Sequence, residues 1–404
     1  MTNIIKIFFE KQKGKKLSVI ISDIILRFFS LLLFPFIYFL LFIINLVYKV
    51  KIGFLYNERL GHLVLNTDLF LRRIQLGLIP NDVKYIFFVY NPANKQIVTM
   101  FKRVLTVIES EFFCKILAPF AIFKTRFYQQ LPFLGNEYYE FNQANKSLFF
   151  TKEEIGIGNK KLQQMGLKNE DWYVCIFSRD HTYYNKFSPN TDVSFSTHRN
   201  SDINPYNLAV EYILQKGGFV IRMGNCVGTK LNFEHEHVID YASQNANDFM
   251  DIFLAAHCRF YLGSTSGAVD LAAVFDIPVA GVNIVPIGYP LFGKKSIFIS
   301  KKIINKNTFE MIPFSEQLNV FSGNQVSTDL IPEKILDKKG WKFEDNSDTE
   351  ILDITKEMFE RLENKFKVIN TDKIEEYQKI FPKTNIYKNN KSPIGQDFLE
   401  KLIL

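Results

Sequence analysis

The sequence predicts an α/β protein with two parallel-sheet domains that face a cleft, preceded by an N-terminal membrane-associated helix. Three observations support this prediction. Apolar strand-like runs alternate with helix-like stretches on both sides of an irregular middle, which is typical of βαβ units. A strand, a turn rich in glycine and hydroxyl residues, and a helix follow one another at residues 259–273. An uncharged apolar segment occupies residues 28–48.

The chain length sets the domain organisation. With 404 residues, the chain is long enough for two domains of ordinary size and an appendage. We expect a membrane anchor with basic flanks at residues 1–52 and a first domain at 53–170. A second domain is expected at 171–340, and C-terminal helices at 341–404 that pack back on the body.

The net charge of +7 is concentrated at the N-terminus. Residues 1–52 contain seven lysines and Arg27 against Glu10 and Asp23, a net charge of +6. The remaining 352 residues therefore carry only +1. This distribution favours an anionic membrane lipid as partner and argues against a nucleic-acid-binding body.

The uncharged segment at residues 28–48 is long enough to cross a bilayer, which takes about 20 residues as a helix. No small-residue cleavage site follows it, so a cleaved signal peptide is not favoured. It could cross once, re-enter with a kink at Pro35, lie in the membrane plane, or be a buried core helix. Basic residues on both flanks do not decide its orientation. We favour a re-entrant or in-plane anchor on the cytoplasmic face of the inner membrane.

The periodicity of each domain predicts its elements. In the first domain we expect strands at 54–56 and 83–89, and helices at 63–76, 94–109 and 152–165. In the second we expect strands at 172–177, 219–221, 237–240, 259–262 and 278–282, and helices at 207–215 and 248–256. A capping box at Ser347 and Glu350 predicts a helix in the tail, and residues 397–404 predict a short final helix.

The turn at residues 263–267 reads Gly263, Ser264, Thr265, Ser266, Gly267. It links a strand directly to a helix, whose first N–H groups lack helical partners and carry the positive end of the macrodipole. Such a helix N-terminus attracts phosphate, and glycine lets a ligand approach the backbone. The alternative is an ordinary strand-to-helix turn with an N-capping serine.

Several motifs together resemble a family of bacterial glycosyltransferases of surface-polysaccharide synthesis. They are Arg-Asn-Ser-Asp-Ile at 199–203, Val-Ile-Arg-Met-Gly at 220–224 and Gly-Ser-Thr-Ser-Gly at 263–267. Ser-Arg-Asp at 178–180, Arg-Leu-Gly-His-Leu at 59–63 and Glu-Met-Phe-Glu-Arg-Leu at 357–362 extend the resemblance over most of residues 54–370. It implies a GT-B-like fold, with an acceptor-binding and a donor-binding Rossmann-like domain.

The resemblance also implies a function. We expect a membrane-associated enzyme that moves a sugar from a nucleotide-sugar to a lipid-linked or oligosaccharide acceptor. The nucleotide-sugar is a co-substrate, and we expect neither a cofactor nor a metal. A nucleotide-sugar epimerase and a non-catalytic scaffold of a glycan assembly complex are the alternatives.

Sugar transfer leaves a diphosphate on which negative charge grows, so the site needs donors aimed at that charge. Arg222 follows a strand, where a side chain can reach the cleft. A surface ion pair is the alternative for each arginine, and Arg199 could pair with Asp202. The residues predicted to bind the nucleotide-sugar are Arg179, Arg199, Arg222, Gly263, Ser264, Thr265, Ser266 and Gly267.

The acceptor hydroxyl needs a general base. His62 follows a glycine in the first strand-to-helix turn, and a neutral histidine is available near pH 7. Asp180 and Asp202 are rival candidates, and a packing role is the alternative for His62. The pair His235 and His237 is weak support for a metal site. Four separated cysteines, at positions 114, 175, 226 and 258, indicate reduced, mostly buried thiols.

Overall fold

The computed structural model describes residues 17–132, 138–182, 194–225, 227–243, 246–285, 287, 291, 293–321, 332–381 and 393–404. The described residues form two parallel sheets and a small antiparallel pair, surrounded by helices. The first sheet lies in the N-terminal half of the chain and the second in the C-terminal half.

The N-terminal apolar segment is the helix α1 (Leu17–Ile44), which continues without interruption through Pro35. The prediction of a re-entrant turn at Pro35 is therefore wrong. One face of α1 packs through Phe34 and Tyr38 against the first domain. The opposite face is exposed, with Phe36 at 74% and Phe39 at 63%, so α1 is not a buried core helix. Among the described residues, it is the one helix long and apolar enough to cross a membrane.

The first sheet contains three parallel strands in the order β1 (Val50–Phe54), β2 (Lys84–Val89), β3 (Thr106–Glu109). The helices α2 (Leu60–Gln75) and α3 (Lys95–Phe101) connect them. The predicted helix at 94–109 is thus correct only at its start, where Asn94 caps α3 by accepting the N–H of Ile97. Its end is a strand because the β-branched run from Thr106 to Ile108 pairs with β2.

The described part of the N-terminal half contains four further, short helices. They are α4 (Glu111–Ile116), α5 (Ala118–Ile122), α6 (Tyr138–Gln143) and α7 (Lys152–Gln164). The predicted helix at 152–165 is confirmed, and Thr151 and Glu154 form a capping box at its start.

The second sheet has six described strands, all parallel, in the order β6-β5-β4-β7-β8-β9. The chain order changes direction between β4 and β7, and ligands bind at such a switch point in open parallel sheets. The predicted strands of this half are confirmed, whereas β9 was not predicted. The bounds are β4 (Tyr173–Phe177), β5 (Phe219–Arg222), β6 (Val238–Ile239), β7 (Tyr261–Gly263), β8 (Val279–Ile284) and β9 (Ile297–Ser300).

Helices cover both faces of the second sheet. Those within it are α8 (Asn207–Gln215), α9 (Asp248–His257) and α10 (Gly267–Val274). An antiparallel pair, β10 (Lys302–Asn305) and β11 (Trp341–Glu344), follows with α11 (Phe314–Phe321) and α12 (Pro332–Lys338). The tail consists of α13 (Asp348–Leu362), α14 (Thr371–Ile380) and α15 (Gln396–Lys401). The predicted capping box at Ser347 and Glu350 is present at the start of α13.

The two halves share one buried core. Leu69 and Phe70 of α2 belong to the same apolar cluster as Val269 and Leu271 of α10. Burial of such side chains is the main favourable term in folding. Helix α10, which covers one face of the second sheet, therefore packs against α2, and the halves do not behave as separate apolar cores.

A buried arginine side chain lies in this core and bonds both halves. The Arg72 guanidinium is fully buried and bonds Asp68 Oδ2 at 2.6 Å, Asp276 Oδ1 at 3.0 Å and the carbonyl of Val274 at 3.2 Å. It also donates to the carbonyl of Ala144 at 3.0 Å. Burial raises the pKa of Asp68 to about 6, although Arg72 opposes the shift. Arg72 thus links α2 with the chain that follows α10.

We expect Arg72→Met to lower the free energy of unfolding by about 3–5 kcal/mol, because it leaves the buried Asp68 carboxylate and the partly buried Asp276 carboxylate without their partner. Lys102→Met is the control, since it breaks an exposed pair with Glu109 and should change stability by about 1 kcal/mol or less. Urea unfolding of both variants measures the difference. If both variants lost the same free energy of unfolding, the result would show that Arg72 does not join the halves.

Candidate active site

Two helix N-termini meet in direct backbone contact at Gly61 of α2 and Gly267 of α10. A Cβ atom on Gly267 would lie 2.5 Å from the backbone nitrogen of Gly61. A Cβ atom on Gly61 would lie 2.9 Å from the Cα of Gly267 and 2.7 Å from Asp270 Oδ2. Only glycine permits this approach, which we call the Gly61–Gly267 contact.

Both helices at this contact begin without a side-chain cap. The N-cap residue is Arg59 in α2 and Ser266 in α10, and neither side chain bonds the first turn. In contrast, Asn247 caps α9 by accepting the N–H of Met250. The Ser266 hydroxyl is buried and has no hydrogen-bond partner among the described residues. The positive ends of two helix dipoles therefore converge. The Asp270 carboxylate lies at the start of α2, and the start of α10 suits a further anion.

His62 lies beside the contact, half-buried, in the first turn of α2. Its Nδ1 is 3.1 Å from Oδ1 of Asn66, whose Nδ2 donates to the Pro132 carbonyl at 2.6 Å. Because the amide donor of Asn66 is committed to Pro132, its oxygen faces His62 and accepts the Nδ1 proton. Neutral His62 then has its basic lone pair on Nε2, the nitrogen that can act as a base.

Burial lowers the pKa of His62 below 6.5, and the hydrogen bond to Asn66 partly opposes this. The positive charges of Arg59 and Arg199 lower the pKa further. Arg59 belongs to the N-terminal half and Arg199 to the C-terminal half, so positive charges of both halves lower the pKa of His62. These shifts keep His62 neutral at pH 7.

The hydroxyl groups of the predicted phosphate turn mostly bond the protein itself. Ser264 is fully buried, and its Oγ accepts the Arg179 N–H at 3.0 Å. Thr265 Oγ1 accepts the Val285 N–H at 3.0 Å. Gly263 ends β7, and Ser266 and Gly267 stand at the start of α10. Ser264 was predicted to contact the diphosphate, and in the structure its side chain holds the turn through this bond.

Arg222 was also predicted to contact the diphosphate. It is the last residue of β5 and is only 2% exposed. Its Nη1 lies 3.4 Å from Asp240 Oδ2, and its Nη2 donates to the carbonyl of Thr229. In this arrangement the guanidinium holds the loop after β5 and β6.

Arg179 and the Arg-Asn-Ser-Asp motif form one clamp. The Arg179 guanidinium bonds the Ser196 carbonyl and Asn200 Oδ1, both at 2.7 Å. Lys301 Nζ bonds the Asn200 carbonyl and Asp345 Oδ1, each at 2.6 Å. Arg179 is thus a positioning residue, and the clamp holds the segment that contains Arg199, whose positive charge is close enough to lower the pKa of His62.

The other two candidate bases, Asp180 and Asp202, accept hydrogen bonds from loop residues. Asp180 accepts the N–H groups of Thr182 and Gly228, each at 2.8 Å. Asp202 is exposed and accepts from the backbone and side chain of Asn204, at 3.2 and 3.1 Å. Of the three predicted bases, His62 is the one placed at the Gly61–Gly267 contact.

No group of three or more His, Cys, Asp or Glu side chains in the described ranges is arranged to hold a metal ion. His237 stacks on Phe219, with ring centroids 4.0 Å apart, which is a packing role. Among the described cysteines, Cys175 and Cys258 are buried free thiols, and Cys114 is a half-buried one. Cys226 lies outside the described residues.

Sequence reasoning missed three residues of the site, namely Asn66, Arg59 and Lys301. A polar residue four positions after His62 on a helix lies on the same face, so Asn66 could have been found. Lys301 carried no signal, because its partners Asn200 and Asp345 are distant in the sequence.

No family model and no curated protein matches this chain. Among solved structures, E. coli ADP-heptose LPS heptosyltransferase II is 12% identical, over 62% of this chain and 90% of that one, with a TM-score of 0.42. A glycosyl transferase family 9 protein from Veillonella parvula is 11% identical over 63% and 86%, at 0.40. The iron-containing dodecameric glycosyltransferase TibC of enterotoxigenic E. coli is 12% identical over 78% and 77%, at 0.39. Matches at these levels do not establish a family for this chain.

We expect Gly267→Ala to lower the free energy of unfolding by about 1–3 kcal/mol, because the new methyl group meets the backbone of Gly61. Gly156→Ala in α7 is the control, since its methyl group would meet nothing within 4 Å. That change should stabilise the protein by up to about 1 kcal/mol. Thermal unfolding of both variants gives the comparison, and an unchanged Gly267→Ala midpoint would contradict the contact.

Proposed function

We propose that the protein is a membrane-associated glycosyltransferase that moves a sugar from a nucleotide-sugar to a lipid-linked glycan acceptor in bacterial surface-polysaccharide synthesis. The observation that carries this proposal is the Gly61–Gly267 contact, with His62 on one side and the start of α10 on the other. In this proposal the start of α10 serves as the anion site, and His62, beside it on α2, serves as the general base.

The donor diphosphate would bind at the start of α10. The first N–H groups of this helix, the Ser266 hydroxyl and the Arg199 guanidinium supply hydrogen bonds and positive charge. These groups are fixed before the reaction, because Ser264, Thr265 and Arg179 hold the turn and its neighbour in place. Donors fixed in advance stabilise the charge that grows on a leaving diphosphate.

The acceptor would bind beside α2. Nε2 of His62 takes the proton of the acceptor hydroxyl as its oxygen attacks the anomeric carbon. The bond between that carbon and the diphosphate oxygen breaks, and its electron pair leaves with the diphosphate. Asn66 is a positioning residue, because its bond to Nδ1 keeps the lone pair on Nε2.

The membrane part of the proposal rests on α1. Its exposed apolar face and the basic residues around it suit the cytoplasmic face of the inner membrane. A lipid-linked acceptor would lie in the same membrane, whereas the nucleotide-sugar would arrive from the cytoplasm.

We expect one nucleotide-sugar to raise the melting temperature of the detergent-solubilised protein. A ligand at 100 times its Kd adds about 2.7 kcal/mol of stability. UDP-, GDP-, CMP-, dTDP- and ADP-sugars form the panel. Arg199→Ala should lose the shift, and Arg361→Ala, whose arginine pairs with Glu357 in α13, should keep it.

Two outcomes would contradict the transferase. If no nucleotide-sugar stabilises the folded protein, the scaffold becomes the better explanation. If the donor is converted to an isomeric nucleotide-sugar without any acceptor, the protein is an epimerase-like enzyme.

We expect His62→Gln to lower kcat/KM by about 10²–10⁴-fold, the usual contribution of a general base. In the unsubstituted enzyme, kcat/KM should increase as the pH rises through the pKa of His62, which lies below 6.5. Near neutral pH, kcat/KM should no longer change with pH. Asn66→Asp places a negative charge next to the Nδ1–H group of His62, which stabilises the imidazolium form. The rise of kcat/KM should therefore move to higher pH. A pH profile that is unchanged in Asn66→Asp would show that His62 is not the base.

A further inference from the structure

We propose that α1, α4 and α5 form one membrane-embedded surface, in which α1 lies in the plane of a single leaflet and does not cross the bilayer. The partner is a bilayer leaflet that contains anionic lipid. This inference rests on the membrane association in the proposed function, and it does not depend on sugar transfer.

The first domain contacts α1 along nearly its whole apolar length. At one end Asp23 pairs with Lys115 of α4 at 2.5 Å. At the other end the Arg126 guanidinium lies 5.0 Å from the centroid of the Phe42 ring. These contacts are 19 residues apart on α1, about 28 Å along a helix. That distance is close to the thickness of the hydrocarbon core, about 30 Å.

This side-by-side packing is incompatible with a crossing helix. If α1 spanned the bilayer, α4 and α5 would lie at the same depths. The exposed Lys124 follows Phe123, which contacts Phe34 near the middle of α1, so its charge would enter the hydrocarbon. Each charged side chain near the centre of a bilayer costs about 2.5–3.5 kcal/mol or more. An in-plane helix avoids this cost, because the charged groups then remain at the level of the headgroups.

The exposed apolar surface of α1 continues onto α4 and α5. Phe123, directly after α5, contacts Phe34 of α1 with ring centroids 5.3 Å apart and is still 56% exposed. Ile122 and Phe112 are 52% and 53% exposed. Large exposed apolar side chains grouped on packed helices mark an interaction site and not an ordinary soluble surface.

Basic side chains at the edge of this surface favour lipid over a second protein chain. Lys124 and Arg126 are exposed next to Phe123, and residues 1–16 add five lysines by sequence. Juxtamembrane basic groups are attracted to anionic headgroups. Two copies packed through the same surface would bring their basic edges together, which is unfavourable.

The surface would also orient the candidate active site. β1 begins at Val50, six residues after α1 ends at Ile44, so the first sheet is tied to the embedded helices. The half of the site that contains His62 would then stand next to the lipid, where a lipid-linked acceptor lies.

Tryptophan fluorescence in vesicles tests the surface. Phe36→Trp, Phe112→Trp and Phe123→Trp are made singly in the full chain, with Phe39→Trp as a replacement for any variant that does not fold. Phe309→Trp is the control, since Phe309 is 67% exposed and contacts Lys342 of β11. The vesicles contain phosphatidylcholine and phosphatidylglycerol brominated at a shallow or a deep position of the acyl chain. Emission of the unsubstituted protein, from Trp172 and Trp341, is subtracted.

We expect loss of emission at positions 36, 112 and 123, stronger with shallow than with deep bromine, because an in-plane helix lies about 5–10 Å below the surface. Position 309 should lose none. Deep quenching at 36 with none at 112 and 123 would show a crossing helix and overturn the inference. No quenching at any position would also overturn it, and a dimer in sedimentation would then identify a second copy as the occupant. Nucleotide-sugar stabilisation of the same variants, measured in detergent, keeps the proposed function separable from this result.

Discussion

The buried Arg72 guanidinium is the interaction on which the arrangement of the two halves depends. It cannot be left unpaired in the core, because an isolated buried charge is costly. Asp68, on the same helix, accepts a hydrogen bond from Nε of Arg72. The Val274 carbonyl, at the end of α10, and the Asp276 carboxylate accept from Nη2. The two halves are therefore held in one relative position, since movement of α10 away from α2 would leave the buried guanidinium without two of its hydrogen-bond acceptors.

That fixed position makes the candidate site possible. With α2 and α10 joined by Arg72 near the end of each helix, their first turns meet at Gly61 and Gly267. The same geometry brings His62 near Arg199, which the Arg179 and Lys301 clamp holds in the other half. The candidate base and the candidate anion site, which belong to different halves, thus become neighbours.

Much of the fold could be predicted from local patterns. Strands β4 to β8, helices α8 to α10, the turn at residues 263–267 and the capping box at Ser347 follow from apolar periodicity and from residue types at helix starts. The misread stretch at 94–109 shows the limit. A short helix and a short strand follow each other there, and the β character of Thr106 is revealed only by its pairing with β2.

The sequence by itself determined the α/β class, the location of the excess positive charge and the apolar N-terminal helix, and it identified His62 and Gly267 as candidate site residues. Tertiary structure decided how each polar side chain is used. Ser264, Arg179 and Arg222 looked like ligand contacts but bond protein groups, and Asn66 acquired a role in orienting His62. The physical reason is that periodicity and caps act between near neighbours, whereas the partner of a buried polar group is set by packing between distant segments.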